Sequence, residues 1–101
     1  MSAPDLHVLD APPDVVENGG HEVVRAFVSN GAVSVAMRRS FDDPFVWGML
    51  LVDLARHAAR IYATEAEMSE GQAMARIVEG LQAELDNPTD TGATNAINAI
   101  N

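Results

Sequence analysis

Four side chains that could do chemistry together lie in the stretch DDPFVWGMLLVDLARHAARIY, residues 42–62. They are Asp53, Arg56, His57 and Arg60. On a helix their spacing of three to four residues places them in one narrow sector, where Asp53 can reach His57 on the next turn. An aspartate can fix the tautomer of an imidazole and leave its second nitrogen as a base near neutral pH. Two guanidinium groups one turn apart can instead hold a carboxylate or phosphate.

The same spacing is typical of the exposed side of an ordinary helix. Catalysis also needs a pocket and a positioned nucleophile, and the sequence indicates neither. We therefore expect a non-enzymatic protein without a cofactor, in which the four residues form an exposed polar stripe. The alternative hypothesis is a sensor of a small anionic ligand that uses Asp53, Arg56, His57 and Arg60.

The composition excludes several classes of function. Cys and Lys are both absent, which removes thiolate and Schiff-base chemistry. His7, His21 and His57 lack the short spacings of metal ligands, so we predict no metal site. A formal net charge of -9 with six basic residues argues against nucleic acid and acidic membrane surfaces. An N-terminus without a basic and apolar leader, and the lack of a long apolar run, predict a soluble cytoplasmic protein.

The acidic charge is concentrated at the two ends of the chain. Residues 1–20 carry four acids and no base, and residues 63–101 carry seven acids and one Arg. Residues 21–62 carry four acids and five Arg. The central part of the chain is therefore close to neutral, and the ends supply the charge that favours solubility.

The stretch HEVVRAFVSNGAVSVAMRR predicts a β-hairpin. Asn30-Gly31 is the favoured pair for a two-residue type I′ turn, which fixes the register so that Val28 faces Val33. Because side chains alternate along a strand, one face is apolar and should face the core. It carries Val24, Ala26, Val28, Val33, Val35 and Met37.

The opposite face of the hairpin is of mixed polarity and carries Phe27. It is either a solvent-facing surface or a contact with a second chain, because an uncovered hairpin is only marginally stable. A chain of 101 residues also gains buried apolar area by dimerisation. We expect a homodimer whose contact uses Val23, Phe27, Ala36 and Trp47.

Two helices follow the hairpin. Asp43-Pro44 predicts the start of a helix that ends near Ala63, and the apolar composition of its first half predicts burial nearly all round. Small residues on one of its sides, including Gly48 and Ala59, would let another element approach closely. Ser69 with Gln72 forms a capping-box pattern that predicts a second, amphipathic helix ending near Asn87-Pro88.

These elements predict an α+β fold in two layers, an antiparallel β-hairpin packed on two α-helices. A third strand could come from the N-terminal segment or from a partner. We expect an extended N-terminal arm at 1–20, a single α+β domain at 21–87 and a flexible C-terminal tail at 88–101.

A pattern of residues in the first long helix and before it carries a resemblance to a known family. It consists of Asp42, Asp43, Pro44, Trp47, Gly48, Asp53, Ala55, Arg56, His57, Ala59 and Tyr62. With these residues the chain resembles a family of small bacterial proteins catalogued as a domain of unknown function, numbered 5076. The resemblance covers the hairpin through Asp90 and leaves both termini outside. It implies no activity, cofactor or mechanism, so we expect an uncharacterised protein that acts as a dimeric interaction module.

Overall fold

The structure of the protein is a computed structural model that describes residues 5–89 and, for the backbone alone, 93–96. Helices and strands follow one another in a mixed order, and the predicted α+β class is confirmed. The elements are α1 (Pro13–Asn18), β1 (Val24–Ser29), β2 (Ala32–Met37), α2 (Phe45–Glu65), α3 (Glu70–Asp86) and β3 (Ala93–Ala96).

The hairpin of β1 and β2 has the predicted turn and register. Asn30 and Gly31 have φ values of 52° and 80°, as a type I′ turn requires. Val28 faces Val33, so this prediction is confirmed. The apolar residues expected on one face therefore do share that face, which we call the hairpin inner face (Val24, Ala26, Val28, Val33, Val35 and Met37).

A third strand completes the sheet in the order β1-β2-β3. It is β3, which pairs in parallel with β2, with Ser34 opposite Ala93. The sequence predicts that a third strand could come from the arm or a partner, whereas this strand lies in the range 88–101. Its small and polar residues give no apolar alternation. The strand therefore depends on the backbone hydrogen bonds that the edge of β2 offers, which the sequence pattern does not reveal.

The N-terminal segment contains the short helix α1. Pro13 occupies the first helical position and Asp14 lies in the first turn, both favourable at a helix N-terminus. Gly19 follows the helix with a φ of 82°, a conformation that suits glycine. These local signals escaped the sequence interpretation because the helix has only six residues. Residues 5–12 form no regular element and lie beside β1.

Helix α2 begins as predicted and extends to Glu65. Pro44 already has helical dihedral angles, and the carboxylate of Asp43 accepts a hydrogen bond of 3.0 Å from the Phe45 N–H. The expectation that its first half is buried all round is wrong for the single chain. Phe45 is 72% exposed, and Met49, Leu51, Val52 and Leu54 are exposed as well. Within the described residues, no other part of the chain covers these exposed side chains.

Helix α3 begins with the predicted capping box. The Ser69 hydroxyl accepts from the Gln72 N–H at 3.0 Å, and Gln72 Oε1 accepts from the Ser69 N–H at 2.8 Å. The helix packs against α2 where Ala59 and Ala73 are 0% and 2% exposed, because small side chains allow the helices to approach closely. Gly48, near the start of α2, faces open space, so no close approach of another element requires a glycine there. Within the described residues, neither helix is long and apolar enough to cross a membrane.

The sheet and the two long helices make no close backbone contact with each other. No Cα atom of α2 or α3 lies within 8 Å of a Cα atom of the three strands. The segment 38–44, which we call the elbow, joins the two layers. The Trp47 indole N–H donates to the Arg39 carbonyl at 2.8 Å, and the Phe41 and Trp47 rings meet edge to face with centroids 5.5 Å apart. Ser40 has a φ of 61°, so the elbow turns sharply.

The chain is consequently open. Its accessible surface is 8668 Å², whereas a compact monomer of this mass exposes about 5,500 Å². The Cα radius of gyration is 15.9 Å, against about 13 Å for a compact chain of this length. Among the residues whose side chains are described, Ala59 and Ala73 alone are buried. Much apolar surface therefore remains uncovered in the single chain.

Candidate functional site

The predicted polar stripe lies on α2, with all of its members exposed. Helical geometry brings Asp53, Arg56, His57 and Arg60 to one side of the helix, as their spacing predicts. The only hydrogen bond inside the stripe, among the described residues, joins Arg60 Nη1 and His57 Nδ1 at 3.5 Å. A guanidinium only donates, so Nδ1 is the acceptor side of this contact, whose length is at the upper limit for a hydrogen bond.

The acidic partner of the stripe comes from α3. Arg60 Nε lies 3.7 Å from Glu70 Oε2, with both side chains about half exposed. Such a half-exposed ion pair contributes little to stability. Asp53 makes no hydrogen bond or ion pair with the other three residues within the described ranges. The stripe therefore lacks the Asp–His pair that acid–base chemistry would use.

Four shallow cavities have walls formed by described residues, and the polar stripe lines none of these four. The largest has a volume of about 630 Å³ and lies between α1 and the start of β1, lined by Val15, His21 and Arg25 among others. Arg25 is already paired with Glu22 at 3.0 Å. In the described ranges, no three metal-ligating side chains gather closely enough to hold a metal ion.

The residues predicted to form a dimer contact are all half-buried. Val23, Phe27 and Ala36 lie on the outer face of the hairpin. Phe27 lines two cavities together with His7 of the arm, so the arm provides part of its cover. Trp47 lies in the first turn of α2, where its ring contacts Phe41 of the elbow. These four positions are less exposed than Leu51, Leu54 and Ile61 of α2.

An exposed apolar surface lies on α2, where the sequence predicts core residues. On α2 we call it the apolar stripe, which consists of Leu50, Leu51, Leu54, Ala58 and Ile61 at helical spacing. Leu51, Leu54 and Ile61 are exposed, as is Val28 of the hairpin inner face, at 80%. The signal in the sequence was the excess of apolar residues around α2, more than a single neighbouring helix can cover.

Comparison with known proteins supports the resemblance found in the sequence. A family model for "Domain of unknown function (DUF5076)" matches residues 8–89. The match begins in the arm, so the family extends further towards the N-terminus than the resemblance indicated. No curated protein matches the chain.

One solved structure that resembles the chain comes from the photosynthetic bacterium Rhodopseudomonas palustrus CGA009, where it is described as a candidate pyruvate dehydrogenase. The two proteins are 53% identical, with a TM-score of 0.64 over 89% of this chain and 92% of the other. The family model covers most of the sequence. The chain therefore belongs to the family of the Domain of unknown function (DUF5076).

Proposed function

We propose that this protein is a non-enzymatic interaction module that works as a homodimer in the cytoplasm. The observation that carries the proposal is exposed apolar surface on both faces: Leu51, Leu54 and Ile61 of the apolar stripe and Val28 and Val33 of the hairpin inner face are exposed. Among the side chains that the structure describes, only Ala59 and Ala73 are buried. Soluble monomers rarely expose contiguous apolar patches of more than a few hundred Å². A chain without cysteine also fits a reducing compartment.

The area that is available is sufficient for a stable dimer. The surface of 8668 Å² exceeds that of a compact monomer by about 3,000 Å², and the exposed arm at residues 5–12 accounts for part of this excess. A standard interface buries about 800 Å² on each partner, and obligate dimers bury more. The open chain can therefore lose the surface of an obligate interface and still remain well hydrated.

The distribution of charge favours a second copy as the partner. Two chains with a net charge of -9 repel each other at long range. The acids are concentrated at the ends, whereas residues 21–62, which contain the hairpin and the apolar stripe, carry four acids and five Arg. Two copies can meet through these near-neutral centres, and a two-fold axis makes the same surface serve both.

The description of the structural neighbour as a dehydrogenase does not supply a second candidate function for this chain. Oxidative decarboxylation of a 2-oxo acid depends on a carbanion-stabilising cofactor held by its phosphates. The sequence has no Gly-rich phosphate loop, since its Gly-Gly pair follows α1 in a connecting segment. Binding of a small anion by Arg56, His57 and Arg60 remains the alternative, and the pairing of Arg60 with Glu70 weakens it.

Light scattering coupled to gel filtration tests the proposal at micromolar concentration. We expect a particle of twice the 10.8 kDa chain mass. The melting temperature should also rise with protein concentration, because dissociation accompanies unfolding of an obligate dimer. A monomer whose melting temperature is independent of concentration would overturn the proposal and would favour a different protein as the partner.

A further inference from the structure

We infer that each copy covers the other: the hairpin inner face of each copy packs on the apolar stripe on α2 of its partner. We call this arrangement the exchange of layers. This arrangement rests on the proposed homodimer and specifies how the dimer is built. It unites two amphipathic surfaces that the single chain leaves apart. By two-fold symmetry the contact occurs twice, so one dimer covers both sheets and both long helices.

The elbow explains why the sheet does not cover its own helix. The hydrogen bond from Trp47 to the Arg39 carbonyl and the contact between Phe41 and Trp47 fix the connection between β2 and α2. The left-handed φ of Ser40 adds a sharp turn at the same place. With these contacts in place, the hairpin stands away from the α2 of its own chain. A second copy can cover the hairpin without any change in the elbow.

The two surfaces match in size and in character. Strands of six residues give the hairpin inner face a length of about 20 Å. The apolar stripe from Leu50 to Ile61 runs for about 17 Å along the helix. Both surfaces are aliphatic, since the hairpin contributes mainly Val and the helix mainly Leu and Ile. Packing a helix across such a sheet face is the usual way to bury both.

Crosslinking of engineered cysteines tests this arrangement against a background free of native cysteine. One tagged chain carries Ala26→Cys on the hairpin inner face, and a chain with a different tag carries Ala58→Cys in the apolar stripe. Both replacements change side-chain volume little, so both variants should remain dimers by light scattering. The two chains are unfolded together, refolded, and treated with a short bis-maleimide.

We expect a crosslinked product that contains both tags, and little product from either variant alone. Self-crosslinking of the Ala58→Cys chain would indicate helix-to-helix packing, and self-crosslinking of the Ala26→Cys chain would indicate sheet-to-sheet packing. Either result would overturn the exchange of layers while the proposed dimer stands. A chain with both replacements that crosslinks internally at monomer mass would overturn the dimer as well.

A second pair of variants and a control complete the design. Val28→Cys with Leu54→Cys repeats the test at more exposed positions and should give the same product with both tags. Leu9→Cys in the arm, mixed with Ala58→Cys, reports crosslinking by random collision. If the control pair reacts as fast as the pair of Ala26 and Ala58 variants, the inference fails.

Discussion

The replacement Leu54→Ala should weaken the dimer by a predictable amount. Leu54 is 45% exposed in the single chain, and full burial of a Leu side chain contributes about 1.5–3 kcal/mol. The remaining burial on dimerisation is therefore worth about 1 kcal/mol per copy. A two-fold interface contains the residue twice, so the loss is about 2 kcal/mol, or roughly a 30-fold rise in the dissociation constant.

Sedimentation equilibrium over a range of protein concentrations measures this constant directly. The matched control is Leu9→Ala, the same replacement at an arm residue that is 95% exposed. The control should leave the dissociation constant unchanged. If Leu54→Ala dissociates no more readily than Leu9→Ala, the apolar stripe is not part of the interface and the reasoning from its exposure is refuted.

Three further predictions concern the turn, the helix cap and the polar stripe. Gly31→Val should lower the free energy of unfolding by about 1–2 kcal/mol, because the φ of 80° at this position strains a β-branched residue. Urea denaturation at fixed protein concentration measures this loss, and Ser29→Val serves as the control. Ser69→Ala should cost about 1 kcal/mol by the same measurement, since it removes the capping box, and an unchanged midpoint would contradict it. If the stripe binds anions, phosphate should raise the melting temperature of the parent protein more than that of Arg56→Ala and Arg60→Ala.

Local signals in the sequence predicted the backbone well. The turn at Asn30-Gly31, the start of α2 after Asp43 and the box of Ser69 with Gln72 each depend on residues within a few positions of one another. Their hydrogen bonds and dihedral angles are therefore encoded where they form. By contrast, β3 depends on an edge presented by β2, far away in the chain, and its own residues carry no comparable signal.

The candidate site was predictable only in part, for a different physical reason. Helical spacing placed Asp53, His57 and Arg60 on one side of α2, but it could not reveal that Glu70 of α3 would pair with Arg60. The apolar residues of α2 were recognised as residues that need cover. A hydrophobic pattern indicates that a residue needs to be buried, but it does not indicate which chain buries it. The sequence therefore predicts Leu54 in the core of the single chain.

The parallel pairing of β2 with β3 has a consequence for synthesis of the chain. Ser34 and its partner Ala93 are separated by both long helices, and contacts this distant in sequence form slowly. On the ribosome the hairpin emerges first and must wait for two helices before its second edge can be paired. A nascent chain at that stage carries an open strand edge, which is the kind of intermediate that invites aggregation. Pausing of translation after α3 should therefore increase the dependence of this protein on chaperones.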